Sequence, residues 1–104
     1  MIIQFNTDKN IDGNAEFTAP YVAQIKDEFT RYNHLITRIE VHLSDQDGNK
    51  NGLNAMHCMI EARLEGRQPI AVNNQANTHD QAVAGAIDKL ATSLDTIIGK
   101  ISNH

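Results

Sequence analysis

Histidine and acidic side chains are the first residues of this chain whose types and spacing suit metal binding. His42 and His57 fall at outward positions of two predicted strands, and Glu40 and Glu61 are close to them in the sequence. Zinc is held by three protein ligands in catalytic sites and by four in structural sites, so two imidazoles without a third close ligand make a poor site. We interpret these four residues as solvated strand residues.

A second acidic pattern, at Asp45, Asp47 and Asn49, mimics the start of a calcium-binding loop. The sixth position of such a loop needs glycine for its sharp turn, and the twelfth needs a bidentate glutamate. This chain has Lys50 and Met56 at those two positions. A polar hairpin loop is therefore the better interpretation, and we predict no metal site and no cofactor.

The cysteine is the next candidate, because a thiolate beside a histidine is a common nucleophile. His57 and Cys58 are neighbours in the sequence, but a strand sends neighbouring side chains to opposite faces. We interpret Cys58 as a small core residue. The sequence also has no glycine-rich phosphate-binding loop and no nucleophile-elbow motif. We predict that the chain is not an enzyme.

Four segments have the alternation of apolar and polar residues that predicts β-strands: 1–6, 35–44, 56–64 and a shorter strand marked by Ile70 and Val72. The residues predicted to share one apolar sheet face are Ile3, Phe5, Ile39, Val41, Cys58, Ile60, Ile70 and Val72. Like charges directly opposite each other destabilise a strand pair. We therefore predict that Arg38 lies opposite Glu61 and His42 opposite His57, with 45–54 as the connecting loop.

Two segments have the 3–4 spacing of apolar residues that predicts amphipathic helices. In the first, Thr18 is the predicted N-cap and Pro20 lies in the first turn, followed by an apolar stripe at Val22, Ile25, Phe29 and Tyr32. The second covers 78–101 and begins with a capping-box pattern, Thr78 and Gln81. The order β-α-β-β-β-α predicts an α+β two-layer sandwich, in which a four-stranded mixed sheet carries both helices on one face. The first strand is expected to lie parallel to the second, and 1–104 to form one domain.

Charge argues against indiscriminate binding to nucleic acid, because nine Lys and Arg residues against thirteen Asp and Glu residues give a formal net charge of −4. One cysteine forms no internal disulfide, and no apolar run approaches the ~18–20 residues that span a bilayer, so we expect a cytoplasmic protein.

Local charge is patterned on the second helix. Lys89 and Lys100 flank its apolar stripe on one side, and Asp88 and Asp95 flank it on the other. A solvated helix surface is one interpretation, and a weak phosphate-contacting stripe is the other.

Several segments together resemble the ribosome hibernation promoting factor family, also called ribosome-associated inhibitor A or sigma-54 modulation proteins. They are the loop NTDKNI at 6–11, the strand TRIEVHLSD at 37–45, EARLEGR at 61–67 and DKL at 88–90. The resemblance implies a fold like a double-stranded RNA-binding domain, preceded by one extra strand. It also implies a factor that binds the small ribosomal subunit in stationary phase or stress and blocks translation by occupying the channel for messenger and transfer RNA, without chemistry.

The resemblance further implies which residues contact ribosomal RNA. Lys89 and Lys100 match positions at which family members place lysine, whereas Thr92 and Thr96 replace further basic residues. The predicted RNA-binding set is Lys89, Lys100, Arg38 and Arg63. The chain is expected to be a short form, without the second, dimer-forming domain of long members.

The alternative is a non-ribosomal, stress-linked interaction module of the same fold. It would form a homodimer through the outer sheet face, supported by Ile36, Met59 and Ala71.

Overall fold

The computed structural model describes residues 1–46 and 54–102, and the order of its elements is the one that the sequence predicts. The elements are β1 (Ile2–Thr7), α1 (Ala15–Phe29), a single 3₁₀ turn (Thr30–Tyr32), β2 (Ile36–Asp45), β3 (Met56–Leu64), β4 (Ile70–Ala76) and α2 (His79–Ser102). The strands form a mixed sheet in the order β1-β2-β3-β4, with β1 parallel to β2 and the other pairs antiparallel. Helix α1 packs against β1, and α2 covers β3 and β4. None of the helices in the described part of the chain is both long and apolar enough to cross a bilayer.

The predicted assignment of strand residues to the two sheet faces is confirmed, with the exception of Ile36. Val41 and Cys58 are completely buried beneath the helices, whereas His42 is exposed on the open face. All eight residues predicted for the apolar face belong to the core or pack against it, and the outer strands contribute the partly buried ones. Burying a β-sheet on one face alone explains the strict alternation in the sequence.

The start of α1 differs from the prediction. Asn14, not Thr18, is the N-cap: its side chain accepts a hydrogen bond of 2.9 Å from the backbone N–H of Phe17. The N-cap therefore lies four residues earlier than predicted, and Pro20 lies inside the helix. In α2 the predicted cap is confirmed, because the Thr78 hydroxyl accepts a hydrogen bond of 3.1 Å from the N–H of Gln81.

A register shift near the start of β2 changes the face to which Ile36 belongs. The pairing moves from Ile36 opposite Leu64 to Arg38 opposite Arg63, so Thr37 is the extra residue of a β-bulge. Ile36 consequently lies on the core side and is only 2% exposed. The prediction that Ile36 belongs to the outer face is therefore wrong.

The predicted register between β2 and β3 is also wrong, by two residues. Arg38 lies opposite Arg63 and Glu40 opposite Glu61, while His42 pairs with Met59 rather than with His57. Like charges are tolerated here because each arginine binds a glutamate two residues away on its own strand. The Arg38 Nε to Glu40 Oε1 distance is 2.9 Å, and the Arg63 Nε to Glu61 Oε1 distance is 3.3 Å. Asp47 and Asn49 of the calcium-like pattern lie outside the described residues, as does most of the predicted loop, while Asp45 is the last residue of β2 and pairs with Met56.

Candidate nucleic-acid interface

Lys89 lies where α2 passes over the outermost strand of the sheet. Its Nζ donates a hydrogen bond of 2.7 Å to the backbone carbonyl of Asn73 in β4, and its side chain is otherwise exposed. Asn73, Thr92 and Ser93 line an open groove of about 470 Å³ beside it, together with Val72 and Asp88. The groove offers a cation and two hydroxyl groups that suit a phosphate oxygen, while the Asp88 carboxylate in its lining opposes an anion.

Lys100 extends this cationic side toward the end of the helix. It follows Lys89 by eleven positions, which is about three helical turns, so the two lysines share one helix face at a spacing of roughly 16 Å. Lys100 is exposed, and its charge near the C-terminus complements the helix dipole. Neither lysine forms an ion pair with any residue that the structure describes.

Arg67 lies beside the C-terminal half of the same helix, and no pattern in the sequence singles it out. It lies in the tight turn between β3 and β4, in which Gly66 adopts a positive φ of 69° that other residues rarely adopt. Arg67, Gln68 and Gly66 line a groove of about 740 Å³ with Ile97 of α2. Because α2 runs back along β4, its C-terminal half meets this turn. A helix that follows β4 and returns along it must end near the turn before β4, and this topology is the feature that could have identified Arg67 as a neighbour of α2.

The cationic stripe is defined by Arg67, Lys89 and Lys100, along the edge formed by β4 and α2. The two other predicted RNA-binding residues are not part of it. Arg38 and Arg63 face each other on the open side of the sheet, and each is paired with a glutamate. Arg38 also donates to the side-chain carbonyl of Gln4. The hydrogen bond from the Arg38 guanidinium holds the pKa of the Glu40 carboxyl below its usual value, so Glu40 stays ionised. The positive charge of Arg38 and the negative charge of Glu40 then cancel.

The opposite side of α2, where it meets α1, is acidic. Asp27, Glu28 and Asp88 line a groove of about 260 Å³ between the two helices, with Gln24, Ala84 and Ile87. A phosphate would be repelled from this groove by the three carboxylates. The helical layer is therefore polarised in part: anionic groups lie between α1 and α2, Lys89 lies toward β4, and Asp88 borders both grooves.

Two tyrosine–aspartate hydrogen bonds join the helical layer across that acidic side. The Tyr21 hydroxyl donates to Asp80 at 2.6 Å, and the Tyr32 hydroxyl donates to Asp95. Burial, reinforced by the neighbouring carboxylate, raises the pKa of each tyrosine to about 12. Both phenols thus remain donors at neutral pH, and they fix α1 and the 3₁₀ turn to α2.

The residues weighed for chemistry are dispersed by the fold. His57 Nε2 lies 2.9 Å from Asn73 Oδ1. The residue opposite His57 is Ser44, and His42 lies two positions before Ser44 on β2. Burial raises the pKa of the Cys58 thiol to about 12, which leaves it protonated and unreactive at neutral pH. Within residues 1–46 and 54–101, no group of three His, Cys, Asp or Glu side chains is arranged to hold a metal ion.

Comparisons with known proteins agree with this architecture. No curated protein sequence matches the chain significantly. Among solved structures, the N-terminal domain of Protein Y from Thermus thermophilus superposes with a TM-score of 0.73 at 20% identity, covering 93% of this chain and 99% of that one. A ribosomal subunit interface protein from Coxiella burnetii gives a TM-score of 0.69 at 16% identity, covering 95% and 99%. At these identities the two structures establish the fold alone. A family model described as sigma 54 modulation protein / S30EA ribosomal protein matches residues 9–102, and the chain therefore belongs to that family.

Proposed function

We propose that this chain is a ribosome-associated factor that binds the small ribosomal subunit in stress or stationary phase and limits translation by occupying the channel for messenger and transfer RNA. The observation that carries the proposal is the cationic stripe on a domain of the sigma 54 modulation protein / S30EA family. Arg67, Lys89 and Lys100 would contact phosphates of ribosomal RNA. Binding by occupancy needs shape and charge but no catalytic group.

The overall charge makes binding depend on how the protein is oriented. A formal net charge of −4 opposes approach to RNA, so attraction must come from the stripe acting at short range. Each cation that neutralises a phosphate releases counterions, which makes affinity fall steeply with salt. We therefore expect binding that is tight at low salt and weak at moderate salt, with the acidic groove between the helices turned away from the RNA.

Arg38 and Arg63 are assigned a smaller part in the proposal. Each would have to exchange a glutamate for a phosphate, and the glutamates would then repel the RNA backbone. Removing these arginines is expected to lower affinity less than removing the two lysines of α2.

Cosedimentation with purified small ribosomal subunits tests the proposal. The variant Lys89→Glu, Lys100→Glu is expected to stay in the supernatant at a salt concentration at which the unmodified protein pellets with the subunits. Lys9→Glu, Lys26→Glu is the matched control, because both residues are exposed and lie outside the stripe while the net charge changes equally. Circular dichroism checks that both variants are folded.

Three results would count against the proposal in different ways. If the unmodified protein fails to pellet even at low salt, ribosome binding itself is wrong. If both double variants lose binding equally, net charge rather than the stripe governs association. If neither loses binding, the RNA contacts lie on another surface.

A further inference from the structure

Strand β4 is an edge of the sheet, and the direction of its free backbone groups can be worked out from its neighbours. The carbonyl of Ala55, just before β3, accepts a hydrogen bond from the N–H of Gln46 on the β2 side. Backbone groups alternate in direction along a strand, so the odd-numbered residues of β3 face β2 and the even-numbered ones face β4. The even-numbered residues of β3 pair with the even-numbered residues of β4. The N–H and C=O groups of Ala71, Asn73 and Gln75 therefore point away from the sheet.

This edge has few of the features that usually protect an edge strand. Natural sheets avoid edge-to-edge pairing with charged residues, prolines or bulges. No Lys, Arg, Asp or Glu occurs from Gln68 to His79, and only Pro69 precedes the strand. An uncharged strand that ends a sheet is a template for pairing with an identical strand.

The missing charge is supplied by the helix above the strand. Lys89 Nζ donates to the carbonyl of Asn73, the central residue of the three whose backbone groups point outward. The ammonium group thus satisfies one edge acceptor and places a positive charge in the path of an approaching strand. If two copies paired antiparallel about Asn73, the Asn73 residues of the two copies would lie directly opposite each other. Each Asn73 carbonyl accepts from a Lys89 ammonium group, so the two ammonium groups would come close together.

We propose that Lys89 guards the open edge of β4, and that loss of its charge lets two copies of this chain pair antiparallel through that edge. The partner is a second copy because an uncharged strand meets no like-charge repulsion from itself, and pairing about Asn73 is closed by a two-fold axis. Ala71 of one copy would lie opposite Gln75 of the other, which gives about six N–H···O=C bonds over the three opposed pairs. The surface differs from the open sheet face, and the proposal does not rest on ribosome binding.

Sedimentation velocity of the full chain over a wide range of concentrations tests this proposal. Lys89→Gln should self-associate at least about tenfold more tightly than the unmodified protein, since a close repulsive pair is removed. Lys89→Arg keeps the charge and should remain monomeric at the same concentrations. Lys100→Gln removes a lysine from the same helix face without touching β4 and should also remain monomeric.

Hydrogen exchange identifies the surface that is used. In Lys89→Gln, the amides of Ala71, Asn73 and Gln75 should become protected as concentration rises, and adding Ala71→Pro should restore the monomer by removing one outward donor. A monomeric Lys89→Gln would overturn the proposal. So would equal association of Lys100→Gln, or association that leaves these three amides unprotected.

Discussion

Because β4 lies close to α2 at Gly85 and no neighbour lies close to Gly99, two glycine-to-alanine substitutions in this helix should change the stability of the fold in opposite directions. A Cβ added at Gly85 would lie 2.1 Å from Asn74 Nδ2, whereas one at Gly99 would meet nothing within 4 Å. The Asn74 amide donates hydrogen bonds of 3.2 Å to the carbonyls of Gln81 and Ala82. The absence of a side chain at Gly85 is therefore what lets Asn74 reach the first turn of α2.

The magnitudes follow from these contacts. Replacing glycine by alanine within a helix stabilises the folded protein by about 0.5–1 kcal/mol. At Gly99 this gain is the only effect expected, because the added methyl group meets no neighbour. At Gly85 the asparagine must move and lose two hydrogen bonds, each contributing about 0.5–1.5 kcal/mol, so the net loss lies between roughly 0 and 2.5 kcal/mol and is centred near 1 kcal/mol. Gly85→Ala should lower the Tm by several degrees, at ~4–8 °C per kcal/mol in a domain of this size, while Gly99→Ala should raise it.

Urea unfolding and thermal melts of the two variants measure the change in the free energy of unfolding and in the Tm for each substitution. A double variant that combines Gly85→Ala with Asn74→Ala completes a double-mutant cycle, and the alanine at 85 should become neutral or stabilising once the asparagine amide is gone. If Gly85→Ala is as stable as the unmodified protein, the side chain of Asn74 does not hold the helix in the way described. The spacing between Lys89 and β4 would then have to be set by other contacts.

Three further predictions concern the helical layer and the stripe. Tyr21 and Tyr32 have a pKa raised from 10 to about 12 in the folded state. Their contribution to stability is therefore complete below pH 10 and is lost as pH rises through 12. Alkaline unfolding of Tyr32→Phe, followed by circular dichroism, should depend less on pH between 10 and 12 than that of the unmodified protein. Asn14→Ala should cost about 1 kcal/mol in urea unfolding by removing the N-cap of α1, and an unchanged stability would contradict the cap. Arg67→Gln should weaken small-subunit binding more than Arg63→Gln in cosedimentation, because Arg63 is already paired with a glutamate; the reverse order would move the interface to the open sheet face.

The sequence is sufficient to predict the element order and the two sheet faces, because burial on one face imposes a period of two on every strand. It does not specify the register between β2 and β3. A shift of two residues keeps every side chain on its face, so the hydrophobic pattern permits both registers. The charge argument fails because Arg38 and Arg63 find glutamates on their own strands.

Local exceptions account for the other differences. The β-bulge at Thr37 reverses the face of Ile36, and a bulge leaves no periodic signal in the sequence. At the start of α1, Asn14 and Thr18 are both good N-caps, and the choice depends on where the preceding loop delivers the chain. That loop is held by the Asn10 side chain, whose Nδ2 donates to the carbonyl of Asp45 at 2.9 Å.

The candidate site could be predicted only in part. Lys89 and Lys100 were identifiable from helical spacing, since eleven residues return to the same helix face. Arg67 is far from them in the sequence, and only the return of α2 along β4 brings it to their side. The separation of Arg38 and Arg63 from the lysines likewise follows from the two layers of the fold.

The salt dependence of binding to purified small ribosomal subunits tests the central claim most directly. The slope of log affinity against log salt concentration counts the phosphate contacts, at roughly 0.7–0.9 for each. The unmodified protein should have a slope steeper than that of Lys89→Ala, Lys100→Ala by ~1.4–1.8. Equal slopes for the two proteins, or no binding by the unmodified protein at low salt, would contradict the assignment of this stripe as the ribosome-binding surface.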